Sequence, residues 1–348
     1  MNEIPPIPRR HFLRTGVATS AALLTGAPFI RGQDKAGSKA PILGSGEHTY
    51  EAIHDWGKLP AGIVYGNTHG VAEDSQGNIH IKHTVHATST SADAVVVFDA
   101  NGKFIRSRGA EFKGGAHGMH LVKEGGEEFF YLCDTARHKL VKTTLDGKLV
   151  WERGCPDETG GYKKPDEYVP TNVATAPDGT VFVSDGYGRN YIHLYEPDGT
   201  YLSSFGGSGK NPGHLKCPHG LMVDTRGPEP LLVVADRSNS RLQYFTLTGE
   251  HVKFVTDELR APCHFHTRGT DMLIPDLKSR VTLFDKDNKL IVHLGDGGNF
   301  EGIRDKDRSA FTPGKFVAPH GAIFDSQGNI FVVEWVEVGR VTKLRRVG

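Results

Sequence analysis

Short runs of apolar residues, each ended by a polar turn, recur from about residue 69 to the carboxyl terminus. The clearest copy places Val181-Phe182-Val183 between Asp-Gly turns at Asp178-Gly179 and Asp198-Gly199. Such pairs supply the positive-φ positions that tight hairpins need, so each run is predicted to be a short strand. Six copies are visible, beginning at His69, His117, Pro170, His219, Cys263 and His320. Repeats of roughly 40–50 residues of this kind predict an all-β, six-bladed β-propeller.

The last repeat, Ala318 to Gly348, has room for about three strands instead of four. A propeller has to pair the edge that this leaves open, because unpaired backbone donors and acceptors invite aggregation. The segment from Tyr50 to Trp56 precedes the first repeat, and we expect it to supply the missing outer strand. An ordered lead-in loop is the alternative.

Composition and charge agree with a turn-rich globular protein. The chain of 348 residues contains 43 glycines and 19 prolines, and 41 Lys and Arg balance 41 Asp and Glu. Without a net charge, no global field draws the protein to nucleic acid, so no nucleic-acid partner is expected. Radial repetition allows residues 47–348 to form one domain.

The amino terminus has the pattern of a targeting signal. Arg9-Arg10-His11-Phe12-Leu13 precedes a modestly apolar run from Gly16 to Ile30, and residues 1–32 resemble a twin-arginine signal peptide. The run is too short for a stable membrane span. Residues 33–46 have the composition of a flexible linker. We expect the twin-arginine machinery to export the protein to the periplasm or the medium; a disordered basic tail is the alternative.

Three histidines, His117, His219 and His320, each stand before glycine, 102 and then 101 residues apart. The inner strand of each blade lines the central channel, so equivalent residues form a ring. The trio occupies alternate positions of that ring and is predicted to converge at about 120° around a metal. Three neutral imidazoles with one open position describe a catalytic zinc site. The alternative is that His-Gly is only a hallmark of the repeat.

Several other residues stay open at this stage. His69 and Cys263 share the ring position, and His83, His86, His264 and His266 could crowd the same channel mouth as a second metal site or as proton carriers. Each is more simply a surface or strand-end residue. The four cysteines form no disulfide framework, and Cys217 is either a packing residue or a neighbour of His219.

The phrases Pro218-His219-Gly220-Leu221, Val183-Ser184-Asp185-Gly186-Tyr187 and Val234-Ala235-Asp236-Arg237 resemble the NHL-repeat propeller of peptidyl-α-hydroxyglycine α-amidating lyase, over approximately residues 69–348. The resemblance implies zinc on the three histidines, Tyr187 as the base that takes the substrate's hydroxyl proton, and Arg237 beside the substrate carboxylate. It also implies a zinc-dependent carbon–nitrogen lyase that splits a carbinolamide into an amide and glyoxylate, acting on a small carboxylated or peptide-derived substrate.

Two departures from that family limit the resemblance. Residues 79–86 contain no counterpart of the family's first-blade arginine, and Gly321 replaces an aspartate that serves a calcium ion, so calcium is not expected. A metal-dependent hydrolase therefore remains an alternative, as does a non-catalytic propeller that binds a protein or glycan. A lactonase-type propeller is less favoured, because the ring carries imidazoles.

Overall fold

The computed structural model describes residues 40–298 and 302–348, and it contains six antiparallel sheets arranged as blades around a channel. Two strands precede the first blade: β1 (Ile42–Ser45) and β2 (His48–Ile53). Blade one comprises β3 (Thr68–Glu73), β4 (Ile79–His83), β5 (Val95–Phe98) and β6 (Phe104–Arg108). Blade two comprises β7 (Ala116–Glu124), β8 (Glu127–Asp134), β9 (Lys139–Thr144) and β10 (Leu149–Arg153). Blade three comprises β11 (Asn172–Thr175), β12 (Val181–Ser184), β13 (Tyr191–Tyr195) and β14 (Tyr201–Gly206).

The second half of the ring repeats this order. Blade four comprises β15 (Pro218–Asp224), β16 (Leu231–Asp236), β17 (Arg241–Phe245) and β18 (His251–Val255). Blade five comprises β19 (His266–Arg268), β20 (Asp271–Asp276), β21 (Arg280–Phe284) and β22 (Leu290–Leu294). Blade six comprises β23 (Pro319–Phe324), β24 (Ile330–Glu334) and β25 (Arg340–Arg346). Short 3-10 turns lie at Ala110–Phe112, Asp157–Thr159, Pro165–Glu167, Arg237–Asn239 and Arg308–Ala310.

The six-bladed propeller predicted from the repeats is confirmed, and so is its closure by the amino-terminal segment. Strand β2 pairs antiparallel with β25, with Tyr50 opposite Arg346 and Ile53 opposite Lys343. Strand β1 then pairs with β2, which makes the last sheet five-stranded. This strand lies inside the segment 33–46 that composition assigns to a linker; Leu43, which is buried against the last two blades, explains why it is ordered. The predicted signal, residues 1–32, lies outside the described residues.

The hydrophobic core is divided among the six interfaces between neighbouring blades. Strand β16 shows how the sequence does this: Leu232 and Val234 pack toward blade three, whereas Val233 and Ala235 pack toward blade five. Both faces of a middle strand are therefore buried, which accounts for continuous apolar runs in place of strict alternation. Within the described residues, no helix has the length and apolar character needed to cross a lipid bilayer.

Candidate metal centre

The three predicted histidines occupy the same structural position in blades two, four and six. Each lies on an innermost strand at a break in the pairing register, between Ala116 and Met119, between Pro218 and Leu221, or between Pro319 and Gly321. Such bulges redirect a side chain without ending the strand. Here they place the imidazoles of His117, His219 and His320 together, and each residue is no more than 3% exposed.

Each of these imidazoles is fixed through Nδ1 by a backbone carbonyl of the next blade. The nitrogen-to-oxygen distances are 2.6 Å from His117 to Thr171, 2.8 Å from His219 to Cys263 and 3.1 Å from His320 to His69. Because a carbonyl only accepts, Nδ1 carries the hydrogen and the neutral ring keeps its lone pair on Nε2. Even-numbered blades thus supply imidazoles, and the ring residues of odd-numbered blades supply the oxygens that orient them.

The glycine after each histidine makes room for that oxygen. An ideal Cβ would lie 2.5 Å from the Thr171 oxygen at Gly118, 2.4 Å from the Cys263 oxygen at Gly220 and 2.7 Å from the His69 oxygen at Gly321. Any side chain at these positions would push the carbonyl away from the imidazole. The histidine and the glycine of each His-Gly phrase therefore act together: the missing glycine side chain leaves room for the carbonyl that accepts the hydrogen bond from the histidine.

The three rings converge closely. Their centroids are 4.9 Å apart for His117 and His219, 4.6 Å for His219 and His320, and 4.8 Å for His117 and His320. Burial lowers the pKa of His117 to about 3, and it lowers the pKa values of His219 and His320 well below the ordinary range. All three are neutral at physiological pH, which is the state that binds a metal.

The donor set fits a transition metal. Neutral imidazoles suit zinc and other divalent ions of the first transition row, and a hydrogen bond from the second ring nitrogen to a carbonyl is the usual support for such ligands. Among the described residues, His69, His117 and His320 form a group that could hold such an ion, and nothing in the geometry chooses among these metals.

Tyr187 and Arg237 lie at the open side of the histidines. The Tyr187 hydroxyl is 3.1 Å from Nε2 of His117 and 3.1 Å from Nε2 of His219. Arg237 donates to that hydroxyl over 3.4 Å, and its guanidinium lies 5.3 Å from the centre of the tyrosine ring. Tyr187 keeps 43% of its surface exposed, but its hydroxyl lies among the histidines, and desolvation there raises its pKa to about 12 although Arg237 acts to lower it.

A fourth histidine, His69, joins the trio. Its Nδ1 lies 3.2 Å from Nε2 of His320, and its ring centroid is 4.7 Å from that of His117. The ligand atoms of His69, His117 and His320 all lie within 4.8 Å of one another, a close set that does not include His219. Among the described residues, the predicted trio of His117, His219 and His320 does not form such a close set, although its rings are neighbours.

The other histidines flagged in the sequence do not crowd this mouth. His83 is buried against Tyr65, with ring centroids 4.9 Å apart. His86 bonds Thr88 through Nδ1 at 2.8 Å. The cysteines are unpaired, and Cys263 contributes its carbonyl to the site. Cys217 is a neighbour of the site and more than a packing residue, because its sulfur lies 3.0 Å from Nη2 of Arg237.

His264 and His266 instead line a cavity of about 470 Å³ farther along the inner strands. His120 lies there too, and the sequence analysis missed it. A histidine three positions after His117 on the same inner strand was the available signal. His264 donates from Nδ1 to the Ala322 carbonyl at 3.2 Å, whereas Nδ1 of His266 accepts from the Phe324 amide at 3.2 Å. The two rings therefore carry different tautomers, and Nε2 of His266 bears a hydrogen.

Comparisons with known proteins point to amidating enzymes. Peptidyl-glycine alpha-amidating monooxygenase of Mus musculus is 29% identical over 250 residues, covering 64% of this chain and 24% of the relative. A probable peptidyl-alpha-hydroxyglycine alpha-amidating lyase of Caenorhabditis elegans is 26% identical over 139 residues, covering 37% of this chain and 36% of that protein. This chain thus spans about a quarter of the mouse relative's length. No family model matches the chain.

Among solved structures, a catalytically inactive variant of virginiamycin B lyase from Staphylococcus aureus, with quinupristin, has a TM-score of 0.51 and 13% identity. The similarity covers 85% of this chain and 100% of the other. At that identity the likeness shows the fold alone. The chain is therefore a six-bladed propeller with sequence similarity to peptidylglycine α-amidating enzymes.

Proposed function

We propose that this protein is a metal-dependent lyase that cleaves peptidyl-α-hydroxyglycine-type carbinolamides into an amide and glyoxylate. The observation that carries the proposal is the joint placement of three fixed imidazoles, the Tyr187 hydroxyl and the Arg237 guanidinium at one end of the channel. Similarity to amidating enzymes adds support from the sequence.

The reaction needs no oxidant. The substrate hydroxyl loses its proton, the carbon–oxygen bond becomes a carbonyl, and the carbon–nitrogen bond breaks with its electron pair going to the amide nitrogen, which takes up a proton. A divalent ion, for which zinc is our first candidate, would supply Lewis acidity at the substrate oxygens. His117, His219 and His320 would hold it.

We assign to Tyr187 the role of accepting the hydroxyl proton. Its oxygen already lies within hydrogen-bond distance of two ligand imidazoles, so a substrate oxygen at the open position of the centre would be its neighbour. Desolvation of the hydroxyl raises the pKa of Tyr187 in spite of Arg237, and the positive charge of a bound ion would act to lower it for the role as base.

Arg237 is placed to bind the substrate carboxylate. Within the described residues it forms no ion pair, and its contacts are with a phenol and a thiol. A half-buried guanidinium without an acidic partner favours a carboxylate ligand, because a bidentate pair satisfies its fork of donors.

Glyoxylate release from an α-hydroxyglycine peptide tests the proposal, with metal content measured on the same samples. We expect the wild type to hold about one zinc per chain and to release glyoxylate, and the double variant His117→Ala/His320→Ala to lose both. His86→Ala, a histidine outside the ring, is the matched control. Equal zinc in wild type and in the His117→Ala/His320→Ala double variant would refute the metal centre. Zinc without glyoxylate release would favour a hydrolase or another reaction, and absence of zinc a non-catalytic propeller.

We also propose export by the twin-arginine route to the periplasm or the medium, on the strength of Arg9-Arg10 and the apolar run that follows. Replacement of both arginines by lysine should retain the protein in the cytoplasm, as measured by cell fractionation. Unchanged export would contradict this assignment.

A further inference from the structure

We propose that His69 is a fourth imidazole ligand, bound through Nδ1, and that the centre therefore holds a divalent transition metal with at least five coordination positions. The inference rests on the metal centre of the proposed function, but not on the lyase reaction.

The distance between His69 and His320 is that of two ligands on one ion. With nitrogen–metal bonds of about 2.1 Å, adjacent ligands lie about 3.0 Å apart in an octahedron and about 3.4 Å apart in a tetrahedron. Nδ1 of His69 lies 3.2 Å from Nε2 of His320. The ligand atoms of His69, His117 and His320 all lie within 4.8 Å of one another.

His69 differs from the trio in how its second nitrogen is placed. The other three rings are fixed through Nδ1 by carbonyls, whereas Nε2 of His69 has no protein partner within the described part of the chain. The residue keeps 8% of its surface exposed, at the channel mouth. Its ring is thus free to carry the hydrogen on either nitrogen.

The choice of which ring nitrogen carries the hydrogen would determine whether His69 can bind an ion. Nε2 of His320 then gives its lone pair to the ion and no longer accepts from His69. A hydrogen left on Nδ1 of His69 would point at a cation, which is unfavourable. With the hydrogen on Nε2 instead, Nδ1 of His69 would offer its lone pair to the ion.

The count of ligands has a chemical consequence. Four imidazoles fill a tetrahedral zinc ion completely and leave no position for substrate. A centre that also binds substrate must be five- or six-coordinate. Zinc can expand to five, and Fe²⁺, Co²⁺ and Ni²⁺ tolerate imidazole ligands in such geometries.

Cobalt substitution tests this inference on the full chain. Visible absorption of Co²⁺ is intense in four-coordinate sites and weak in six-coordinate ones, with five-coordinate sites between. We expect wild type to bind one Co²⁺ with a weak or intermediate band. His69→Ala should bind Co²⁺ at least about tenfold more weakly, and its absorption band should intensify. Loss of a group that only supports a ligand already costs about tenfold or more in metal affinity. His69→Phe should behave like His69→Ala although it keeps ring volume, and His86→Ala should behave like wild type.

The outcomes separate the two proposals. If His69→Ala and His69→Phe keep the wild-type spectrum and Kd while His219→Ala loses cobalt, His69 is not a ligand and a three-imidazole centre survives. A weaker Kd with an unchanged spectrum also overturns the inference, because His69 would then act only through its hydrogen bond to His320. If the wild type binds neither Co²⁺ nor Zn²⁺, the metal centre itself fails.

Discussion

Adding one methyl group at Gly220 should damage the centre without touching a ligand. The new Cβ would lie 2.4 Å from the Cys263 carbonyl oxygen, where ordinary contact begins at about 3.4 Å, so the oxygen has to move by about 1 Å. That displacement lengthens the 2.8 Å hydrogen bond from His219 beyond useful range. Both groups are buried, so neither finds water as a substitute.

The expected cost has two parts. Leaving a buried donor unsatisfied costs about 1–3 kcal/mol, and overpacking costs about 1–3 kcal/mol. We therefore expect Gly220→Ala to lower the free energy of unfolding by about 2–6 kcal/mol, measured by urea denaturation. Zinc affinity, measured by competition with a chelator, should fall by about 10–100-fold because His219 loses the partner that orients it.

Two controls isolate the cause. Gly154 has no atoms within 4 Å of an added Cβ, so Gly154→Ala should not lower the free energy of unfolding and should leave zinc affinity unchanged. Cys263→Ser keeps the backbone oxygen and should retain zinc affinity, because the thiol is not the acceptor. If Gly220→Ala matches Gly154→Ala in both measurements, the carbonyl does not orient the ligand as argued here.

Three further predictions concern chemistry, pH and closure. Tyr187→Phe should keep its zinc but release glyoxylate at least about 100-fold more slowly, and a rate near wild type would remove Tyr187 from the proposed mechanism. Burial lowers the pKa values of His120 and His264 to about 4, below the value of about 6.5 in the unfolded chain. The stability that these residues contribute is therefore complete above pH 6.5 and is lost as the pH falls toward 4. Urea denaturation should give a lower free energy of unfolding at pH 5 than at pH 7.5. In His120→Gln this difference should be smaller by about 1 kcal/mol, after allowance for the partial exposure of His120. The same difference in both proteins would contradict the prediction. Tyr50→Ala should destabilise the closed ring by about 3–5 kcal/mol in thermal denaturation, while Val347→Ala, at a residue that is 52% exposed, should do nothing; equal melting temperatures would argue against closure as a source of stability.

The sequence was informative where structure depends on local chemistry. Asp-Gly turns mark the hairpins, and the repeated phrase around His117, His219 and His320 marks the inner-strand position. These patterns were sufficient for the blade number, the closing strand and the convergence of the trio.

What escaped prediction depends on backbone or on side-chain direction. The oxygens of Thr171 and Cys263 orient ligands, yet a carbonyl leaves no mark on residue identity. His83 stands near the others in sequence, but its ring turns into the blade against Tyr65. His69 shares the ring position, and only its 3.2 Å approach to His320 distinguishes a member of the cluster from a bystander.

The hydrogen bond from His320 to the His69 oxygen crosses the seam between the last blade and the first. During synthesis, blades two and four can present their imidazoles early, but the third arrives only after nearly the whole chain has left the ribosome. The three imidazoles therefore come together only when the propeller has closed. An ion bound there would stabilise the contact between the last blade and the first. Metal binding would therefore show that the ring has closed.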